Sequence, residues 1–321
     1  MSVLRIALIG AGNMARHHMM VMAVMPYLRA VGVFSRTRPK AEALAAEFGK
    51  IKVFDSIDDM MREAKPDALM VLVSETQAFD VASSVMKFGV PLFIEKPAGL
   101  TPEATKQLAD MARRLNVLTM VGYNRRYYSL FHKGLDLVSQ RGPLLGVFVQ
   151  GHERFWRIRE GRKFSDDVLR QWIYANSTHT IDLLHFLGGE AKAVMSMTRS
   201  FREASPDQMA AVMGLGDGTI GQYQAHWYSP GGWAATLYGD GITVEFKPLE
   251  KGQWTDKDFK TQEIVPDETD QKFKPGMHGQ MKAFAALVRD RKKVWPMADL
   301  DDAYQTMRLA EQIIAGKKTR L

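Results

Sequence analysis

The chain has 321 residues, 46% hydrophobic and 25% charged, which is the composition of a globular protein and excludes disordered and fibrous classes. It contains no cysteine, which excludes disulfides, thiolate metal sites and cysteine nucleophiles and favours a cytoplasmic location. The formal net charge of +7 suits phosphate-bearing ligands, and no nucleic-acid-reading motif accompanies it. No run of about 18 uncharged apolar residues occurs, so no membrane span is predicted.

Short apolar runs alternate with helical patterns over the first 122 residues. The runs predict strands at Val3–Ile9, Ala30–Phe34, Ala68–Val73, Pro91–Ile94 and Val117–Val121. One intervening helix has Thr101 as its N-cap and Pro102 at its first position. Such alternation predicts an α/β domain with a parallel, doubly wound Rossmann-type sheet over residues 1–122.

After Gly122 the strands follow one another directly, which predicts an α+β domain over 123–321 with a large, mainly antiparallel open sheet. Turn sequences include Gly216-Asp217-Gly218 and Gly239-Asp240-Gly241. Strands are predicted at Val147–Gln150, Ala193–Arg199, Met209–Leu215, Thr219–Trp227, Ala234–Tyr238 and Ile242–Phe246. Helices are predicted at Tyr127–Ser139, Ser177–Phe186, His278–Arg289 and Asp299–Ala315, and Glu250–Lys274 reads as a loop. The last helix is expected to pack back on the first domain.

A glycine-rich fingerprint follows the first strand, with the sequence Gly10-Ala11-Gly12-Asn13-Met14-Ala15. Gly10 permits a tight turn, Gly12 lets backbone N–H groups approach a pyrophosphate, and Ala15 lets helix and strand pack closely. The alternative is a glycine turn without a ligand. The strand–turn–helix context favours a dinucleotide site that includes Asn13 and Met14.

The end of the second strand indicates which dinucleotide. NAD enzymes usually place an acidic residue about 20 residues after the glycines, to bind the ribose 2′-hydroxyl. Here the sequence reads Ser35-Arg36-Thr37-Arg38, whose hydroxyl and guanidinium groups suit a 2′-phosphate. We therefore predict NADP(H) in preference to NAD(H), the alternative being that these are ordinary surface arginines. Ser74, after a later strand, is a further predicted cofactor contact.

Glu95-Lys96-Pro97 follows the strand Pro91–Ile94, where open α/β sheets bind ligands. Desolvation beside a cationic nicotinamide would lower the pKa of Lys96 toward the range of a general acid–base. Glu95 either orients Lys96 or pairs with it.

With these motifs the chain resembles the glucose–fructose oxidoreductase, inositol dehydrogenase and MocA family over nearly its whole length. The resemblance is carried by the glycine fingerprint with His18 downstream, by Glu95-Lys96-Pro97, by Val121-Gly122-Tyr123-Asn124-Arg125-Arg126-Tyr127, and by His179-Thr-Ile-Asp182-Leu-Leu-His-Phe-Leu-Gly188. It implies an oxidoreductase that acts on a sugar, cyclitol, sugar nucleotide or related diol and forms a homodimer or homotetramer through the outer face of its large sheet.

The resemblance also implies site residues. Lys96 and His179 would be catalytic, Glu95 and Lys96 would belong to the cofactor site, and His179 would also contact the substrate. Tyr123, Asn124 and Arg125 would line the substrate pocket, and Trp156, Asn176 and Asp182 are further predicted substrate contacts. One departure matters, because the family places an aspartate four residues before the histidine and this chain has Ala175. Asn176 and Ser177 can supply hydrogen bonds there but no carboxylate, so acid–base chemistry falls to Lys96 with His179, or to His179 alone.

Several alternatives stay open from the sequence. His179 can be read as a structural histidine on a packed helix. The basic run Arg154–Lys163 can cover an anionic substrate, or be a solvated loop or subunit contact. Relatives of the family include redox-neutral glycosidases with tightly bound dinucleotide and non-catalytic dinucleotide sensors. No metal site is predicted.

Overall fold

The computed structural model describes residues 2–49, 51–216 and 218–316. The chain divides into two compact units, Met1–Asn124 with Thr269–Tyr304, and Arg125–Glu268 with Gln305–Leu321. Asp217 of the predicted Gly216–Gly218 turn lies outside the described residues. No described helix has the length and apolar character that crossing a membrane requires.

The first unit is built on a six-stranded sheet whose paired strands are all parallel. Its strands are β1 (Leu4–Ile9), β2 (Leu28–Phe34), β3 (Val53–Phe54), β4 (Ala68–Val71), β5 (Leu92–Ile94) and β6 (Thr119–Val121). Their order is β3-β2-β1-β4-β5-β6, so the sheet grows in opposite directions from β1. This confirms the doubly wound fold and places the topological switch point, where such sheets bind ligands, between β1 and β4.

Five helices connect these strands: α1 (Asn13–Met22), α2 (Arg38–Glu47), α3 (Ile57–Ala64), α4 (Ala78–Val85) and α5 (Pro102–Arg114). The hydroxyl of Thr101 accepts a hydrogen bond from the Ala104 N–H at 3.1 Å, as its predicted N-cap role requires. Strand residues such as Ile6, Leu8 and Phe93 are fully buried, because helices cover both faces of the sheet.

The second unit contains an eight-stranded sheet in the order β14-β13-β12-β11-β7-β10-β9-β8. Its strands are β7 (Leu144–Gly151), β8 (Ala191–Arg199), β9 (Gln208–Leu215), β10 (Thr219–His226), β11 (Trp233–Gly239), β12 (Ile242–Phe246), β13 (Gly252–Asp256) and β14 (Thr261–Ile264). Among the described strands of this sheet, only β7 and β10 pair in parallel, so the sheet is mainly antiparallel, as predicted.

Helices cover one face of this sheet. They include α6 (Ser129–Ser139), α7 (Phe155–Glu160), α8 (Asp166–Arg170) and α9 (Thr178–Gly188), the last preceded by a π-helical turn, Ile173–Ser177. The ring of Phe131 in α6 meets Phe246 at 4.7 Å between centroids, and α9 packs on β7. The opposite face keeps Met195, Met197 and Val212 exposed.

The segment Glu250–Lys274, predicted as a loop, contains β13, β14 and the short helix α10 (Glu268–Lys272). That prediction was wrong because these are the last two strands at one end of the sheet, with β14 at its edge, and they are largely polar: in β14 only Ile264 is buried.

Two helices follow α10, namely α11 (Met277–Asp290) and α12 (Leu300–Ile314). The sequence assigned the whole of 123–321 to the second domain, whereas Thr269–Tyr304 belongs to the first compact unit. Phe284 of α11 packs edge-on against Phe93 of β5 at 5.5 Å, and the Val121 N–H donates to the Ala298 carbonyl at 2.8 Å. These apolar and backbone contacts hold the returning segment against the parallel sheet.

Candidate active site

The glycine-rich turn joins β1 to α1 at the switch point of the parallel sheet. Gly10 has φ of 107°, and a Cβ there would lie 2.2 Å from the Leu72 carbonyl oxygen, so only glycine fits. A Cβ on Gly12 would meet nothing within 4 Å, and no described side chain caps α1. The backbone N–H groups of Asn13, Met14 and Ala15 are therefore at the start of the helix, and the space beside Gly12 is open. This fits a pyrophosphate held at the positive end of the helix dipole.

The three side chains predicted to select the cofactor differ in their contacts. The Ser35 hydroxyl accepts a hydrogen bond from the Thr37 N–H at 3.3 Å. Arg38 donates to Glu42 at 2.8 Å and also contacts Asp55, so its guanidinium is already paired. Arg36 is exposed and forms no ion pair within the described part of the chain. Arg36 is thus the guanidinium that a 2′-phosphate could bind without displacing a carboxylate.

Asp55 was not predicted from the sequence, because a carboxylate was expected only at the end of the second strand. It follows β3, a strand of two residues that gives no periodic signal. The parallel pairing of β2 with β3 brings it to Arg38.

Lys96 lies directly beyond β5 and is half-buried. Its neighbour Glu95 is buried, and one carboxylate oxygen lies 3.0 Å from Nε2 of the fully buried His18 on α1. The other oxygen accepts the Lys96 backbone N–H at 3.2 Å. His18 and Glu95 therefore fix the backbone from which the Lys96 side chain projects. The sequence placed His18 in α1 but gave no indication that it pairs with Glu95.

Tyr123 and Asn124, two predicted substrate contacts, are buried in the first unit at 2% and 3% exposure. Tyr123 belongs to the hydrophobic core beneath the parallel sheet. Asn124 donates its side-chain amide to the Pro275 carbonyl at 2.9 Å. These contacts give both residues a structural part in holding the unit together.

Lys274 is a residue near the cofactor turn that the sequence did not predict. Its ammonium lies 3.3 Å from the sulfur of Met14, although the two residues are 260 positions apart in the chain. A cation beside the first turn of α1 adds to the positive potential that favours a phosphate. Ser74, after β4, lies with its hydroxyl 3.2 Å from that of Thr76.

In the second unit, two predicted site residues lie beside the side chain of Trp233. The buried ring of His179, at the start of α9, lies 5.9 Å from the ring of Trp233. The Arg125 guanidinium lies 4.4 Å from the centroid of the same indole, within cation–π range. The sequence named Trp156 instead, which is half-buried on α7. Trp233 follows a Pro-Gly-Gly turn, the one local signal that could have drawn attention to it.

Asp182, also a predicted substrate contact, is almost completely buried. Both of its oxygens accept bonds from Arg126, at 2.6 and 2.7 Å, and Thr306 donates a further bond at 3.0 Å. Arg126 is itself buried. The bidentate ion pair satisfies the carboxylate inside the unit and makes Asp182 a structural anion.

The position of the missing aspartate, Ala175, lies in the π-helical turn before α9. The next residue, Asn176, donates its side-chain amide to Glu153 at 3.1 Å, and the Ser177 hydroxyl lies 3.4 Å from the same carboxylate oxygen. Glu153 is 6% exposed and follows β7. The carboxylate of Glu153, which follows β7, therefore lies at this turn. No local sequence pattern could reveal that contact.

The basic run Arg154–Lys163 forms α7 and its surroundings. Arg159 contacts Glu203, which also binds the Tyr228 hydroxyl, and this pairing lowers the pKa of Glu203. The charged side chains of Arg154, Arg157, Arg162 and Lys163 are exposed. Within the described residues, no three acidic or histidine side chains cluster in a way that could hold a metal ion.

Comparison with known proteins matches residues 4–123 to an oxidoreductase family with an NAD-binding Rossmann fold and residues 147–245 to the Gfo/Idh/MocA C-terminal domain. The chain belongs to the Gfo/Idh/MocA family. The predicted family, one of oxidoreductases, is therefore confirmed, as is the prediction of a nicotinamide dinucleotide fold.

Among curated relatives, the UDP-N-acetylglucosamine 3-dehydrogenase of Acidithiobacillus ferrooxidans is 27% identical over 69% of this chain and 66% of its own length. The inositol 2-dehydrogenase of Rhizobium meliloti is 26% identical over 60% of this chain and 58% of its own. The D-glucoside 3-dehydrogenase of Escherichia coli is 29% identical over 39% of this chain and 36% of its own. The chain thus spans between about a third and two thirds of the lengths of these relatives.

Solved structures of the Gfo/Idh/MocA fold cover nearly the whole chain. A dehydrogenase from Chromobacterium violaceum superposes with a TM-score of 0.84 at 21% identity, covering 98% of this chain and 95% of its own. The UDP-N-acetylglucosamine 3-dehydrogenase structure from Acidithiobacillus ferrooxidans gives 0.78 at 20% identity, covering 98% of both chains. At these identities the likeness establishes the fold.

Proposed function

We propose that this Gfo/Idh/MocA protein transfers a hydride between NADP(H) and a secondary alcohol or ketone of a sugar, cyclitol or sugar nucleotide. The observation that carries the proposal concerns two strands of the parallel sheet. One strand, β1, leads into the uncapped start of α1 with open space at Gly12, and another, β5, leads into Lys96. An anion site and a lysine that follow strands of one sheet are what a dinucleotide-dependent acid–base enzyme needs.

Relatives support the substrate class. Three of them are named as 3-dehydrogenases, of D-glucoside, UDP-N-acetylglucosamine and glucose 6-phosphate, and a fourth as an inositol 2-dehydrogenase. All four names describe oxidation of a ring carbon that bears a secondary hydroxyl. We therefore propose a ring hydroxyl as the reacting group.

The dinucleotide, when bound, supplies the hydride chemistry, and the protein supplies position and proton transfer. In the proposed mechanism Nζ of Lys96 takes the hydroxyl proton as the alcohol is oxidised and returns it in the reverse direction. His18 and Glu95 hold the Lys96 backbone in place. His179, supported by Trp233, orients the substrate oxygen.

We propose NADP(H) as the preferred cofactor because Arg36 is exposed at the end of β2 and carries no carboxylate partner among the described residues. A guanidinium in that state can bind a phosphate at little cost.

A substrate panel tests the proposal. Four probes are each offered with NADP⁺ and with NAD⁺: methyl β-D-glucoside, glucose 6-phosphate, UDP-N-acetylglucosamine and myo-inositol. Formation of reduced coenzyme is followed by its absorbance. We expect at least one probe to be oxidised, with a higher kcat/KM for NADP⁺. No reduction with any probe, or cleavage of a glycosidic bond without net coenzyme reduction, would refute the proposed reaction.

The outer face of the large sheet supports a proposed homodimer or homotetramer. Met195, Met197 and Ile220 on this face are 75%, 57% and 56% exposed, which is unusual for apolar side chains grouped on one face of a sheet. Light scattering of the purified protein at working concentration should give at least twice the 36.1 kDa chain mass, and a monomer mass would contradict this assembly. The cytoplasmic location stays a prediction.

A further inference from the structure

A buried polar network lies beneath the start of α9 in the second unit. Glu153 accepts bonds from the Asn176 amide at 3.1 Å and the Ser177 hydroxyl at 3.4 Å. One helical turn on, the Thr180 hydroxyl lies 3.3 Å from that of Tyr223, a fully buried residue of β10. Burial raises the pKa of Tyr223, and the charge of Glu153 raises it further. A network this deep is costly unless its members satisfy one another.

The backbone of β7 is shaped to accept this network. A Cβ on Gly151 would lie 2.2 Å from the Tyr223 hydroxyl oxygen and 3.0 Å from that of Thr180. Glycine at the end of the strand therefore admits the two hydroxyls, and the chain reaches Glu153 two residues later. The network depends on residues of β7, β10 and α9 together.

The chemistry of the pair fixes which way the Asn176 amide faces. An ionised carboxylate can only accept hydrogen bonds, so the amide nitrogen must face Glu153. The carbonyl oxygen of Asn176 is then directed away from the carboxylate. Asn176 is partly exposed, whereas Glu153 is 6% exposed, so the amide is the outer member of the pair. Without the carboxylate, either end of the amide could face outward.

We propose that Glu153 is a positioning residue that locks the Asn176 carbonyl oxygen outward, so that Asn176 accepts a hydrogen bond from a substrate hydroxyl. The inference rests on the proposed function, because it assigns this oxygen to the recognition of a sugar or cyclitol. It also assigns the site a preference for a free hydroxyl over a methyl ether at the position that Asn176 contacts, since an acceptor needs a donor opposite it.

Exchanging the two groups tests the orientation. In Asn176→Asp two carboxylates face each other, and they can share a proton only at low pH. In Glu153→Gln with Asn176→Asp, the glutamine nitrogen donates to the carboxylate introduced at position 176, whose second oxygen again faces outward. The exposed pair Gln253–Glu245, 3.0 Å apart, offers the control Glu245→Gln.

Thermal unfolding forms the first measurement and needs no substrate. We expect the midpoint of Asn176→Asp to fall relative to the wild type as the pH rises from about 5 to about 8, because a carboxyl pair with a raised pKa loses its shared proton. The double variant should follow the wild-type pH dependence, and Glu245→Gln should match the wild type throughout. Equal pH dependence in Asn176→Asp and the wild type would overturn the assigned contact.

Kinetics with the best probe of the panel form the second measurement. Asn176→Asp should raise KM about tenfold at neutral pH with kcat little changed, because repulsion from Glu153 turns the introduced carboxylate away from the position that the Asn176 oxygen held. A factor of about ten is the loss expected for one well-placed hydrogen bond. The double variant should recover most of the loss, which a merely structural role for Glu153 would not allow. A double variant no better than Asn176→Asp refutes the inference. If the wild type turns over no probe, the proposed function fails and the substrate contact of Asn176 fails with it, whereas the unfolding measurement still decides whether Glu153 holds the Asn176 amide.

Discussion

The two units hold their candidate functional groups in different ways. In the first, the important groups are backbone N–H donors at the start of α1 and a lysine just beyond β5, all placed by local strand–turn–helix geometry. In the second, side-chain contacts between distant segments bring His179 and Arg125 to Trp233 and bring Glu153 to Asn176. The first arrangement follows from a sequence motif, whereas the second exists only once the sheet has formed.

This difference predicts different consequences of substitution. A change in the first unit should remove cofactor binding or proton transfer and leave the fold intact, unless it adds a Cβ where none fits. A change among the buried polar groups of the second unit should alter stability or substrate affinity, because each group satisfies another.

The largest expected effect is that of Lys96→Ala on turnover. Loss of a general acid–base should lower kcat by about 10² to 10⁴-fold, while the Kd for NADP(H) stays within about threefold. Steady-state kinetics and fluorescence titration of NADPH measure the two quantities. Lys106→Ala, which removes an exposed lysine paired with Asp110, serves as the control. Turnover that survives Lys96→Ala would remove the acid–base role.

Asp182→Asn should have the largest effect on stability. Removing the charge leaves the buried Arg126 guanidinium without its bidentate partner and should cost about 3–5 kcal/mol of unfolding free energy. Urea denaturation measures the loss. Asp110→Asn weakens the exposed ion pairs of Asp110 with Lys106 and Arg113 and should leave the urea midpoint nearly unchanged. A similar midpoint for both variants would show that the buried pair carries no special share of the stability.

A smaller effect separates the two arginines after β2. Arg36→Ala should weaken NADP(H) binding about tenfold with little effect on NAD(H), the equivalent of one charge-assisted hydrogen bond. Arg38→Ala should weaken it less, because Glu42 and Asp55 already hold that guanidinium. Calorimetric titration of both coenzymes into both variants makes the comparison. Equal affinity of the wild type for the two coenzymes would contradict the predicted preference.

The smallest effect is a pH dependence of stability from His152, whose ring stacks on His226 at 5.5 Å. Burial, with the positive charges of His226 and Lys247, lowers the pKa of His152 below its ordinary value of 6.5. The folded protein thus binds this proton less readily than the unfolded chain. Stability should be full above pH 6.5 and should fall as the pH drops toward the lower folded pKa. His152→Gln should lessen this fall in urea denaturation, and an unchanged pH dependence would exclude His152 as its source.

Sequence reasoning predicted the features that depend on short stretches of chain. The doubly wound sheet, the mainly antiparallel sheet and the Thr101 cap all follow from local periodicity and capping chemistry. It missed β3, which has two residues, and the largely polar strands β13 and β14 at one end of the large sheet.

Site contacts between distant residues were beyond that reasoning. Glu153 reaches Asn176 across 23 positions, and Lys274 reaches Met14 across 260. The sequence around one residue cannot show which buried carboxylate will accept a hydrogen bond from which amide, because tertiary packing decides the partner. For the same reason the sequence could not show that Asp182 pairs with the buried Arg126.

Dinucleotide binding at the start of α1 is tested most directly by a calorimetric titration of NADP(H) and NAD(H) into the wild type and Gly12→Ala. We expect saturable binding to the wild type. We also expect weaker binding to Gly12→Ala with an unchanged thermal midpoint, since the added Cβ would meet nothing within 4 Å and would stand in the space proposed for the pyrophosphate. A wild type that binds neither coenzyme, or a Gly12→Ala protein that binds as tightly as the wild type, would contradict the proposed cofactor site.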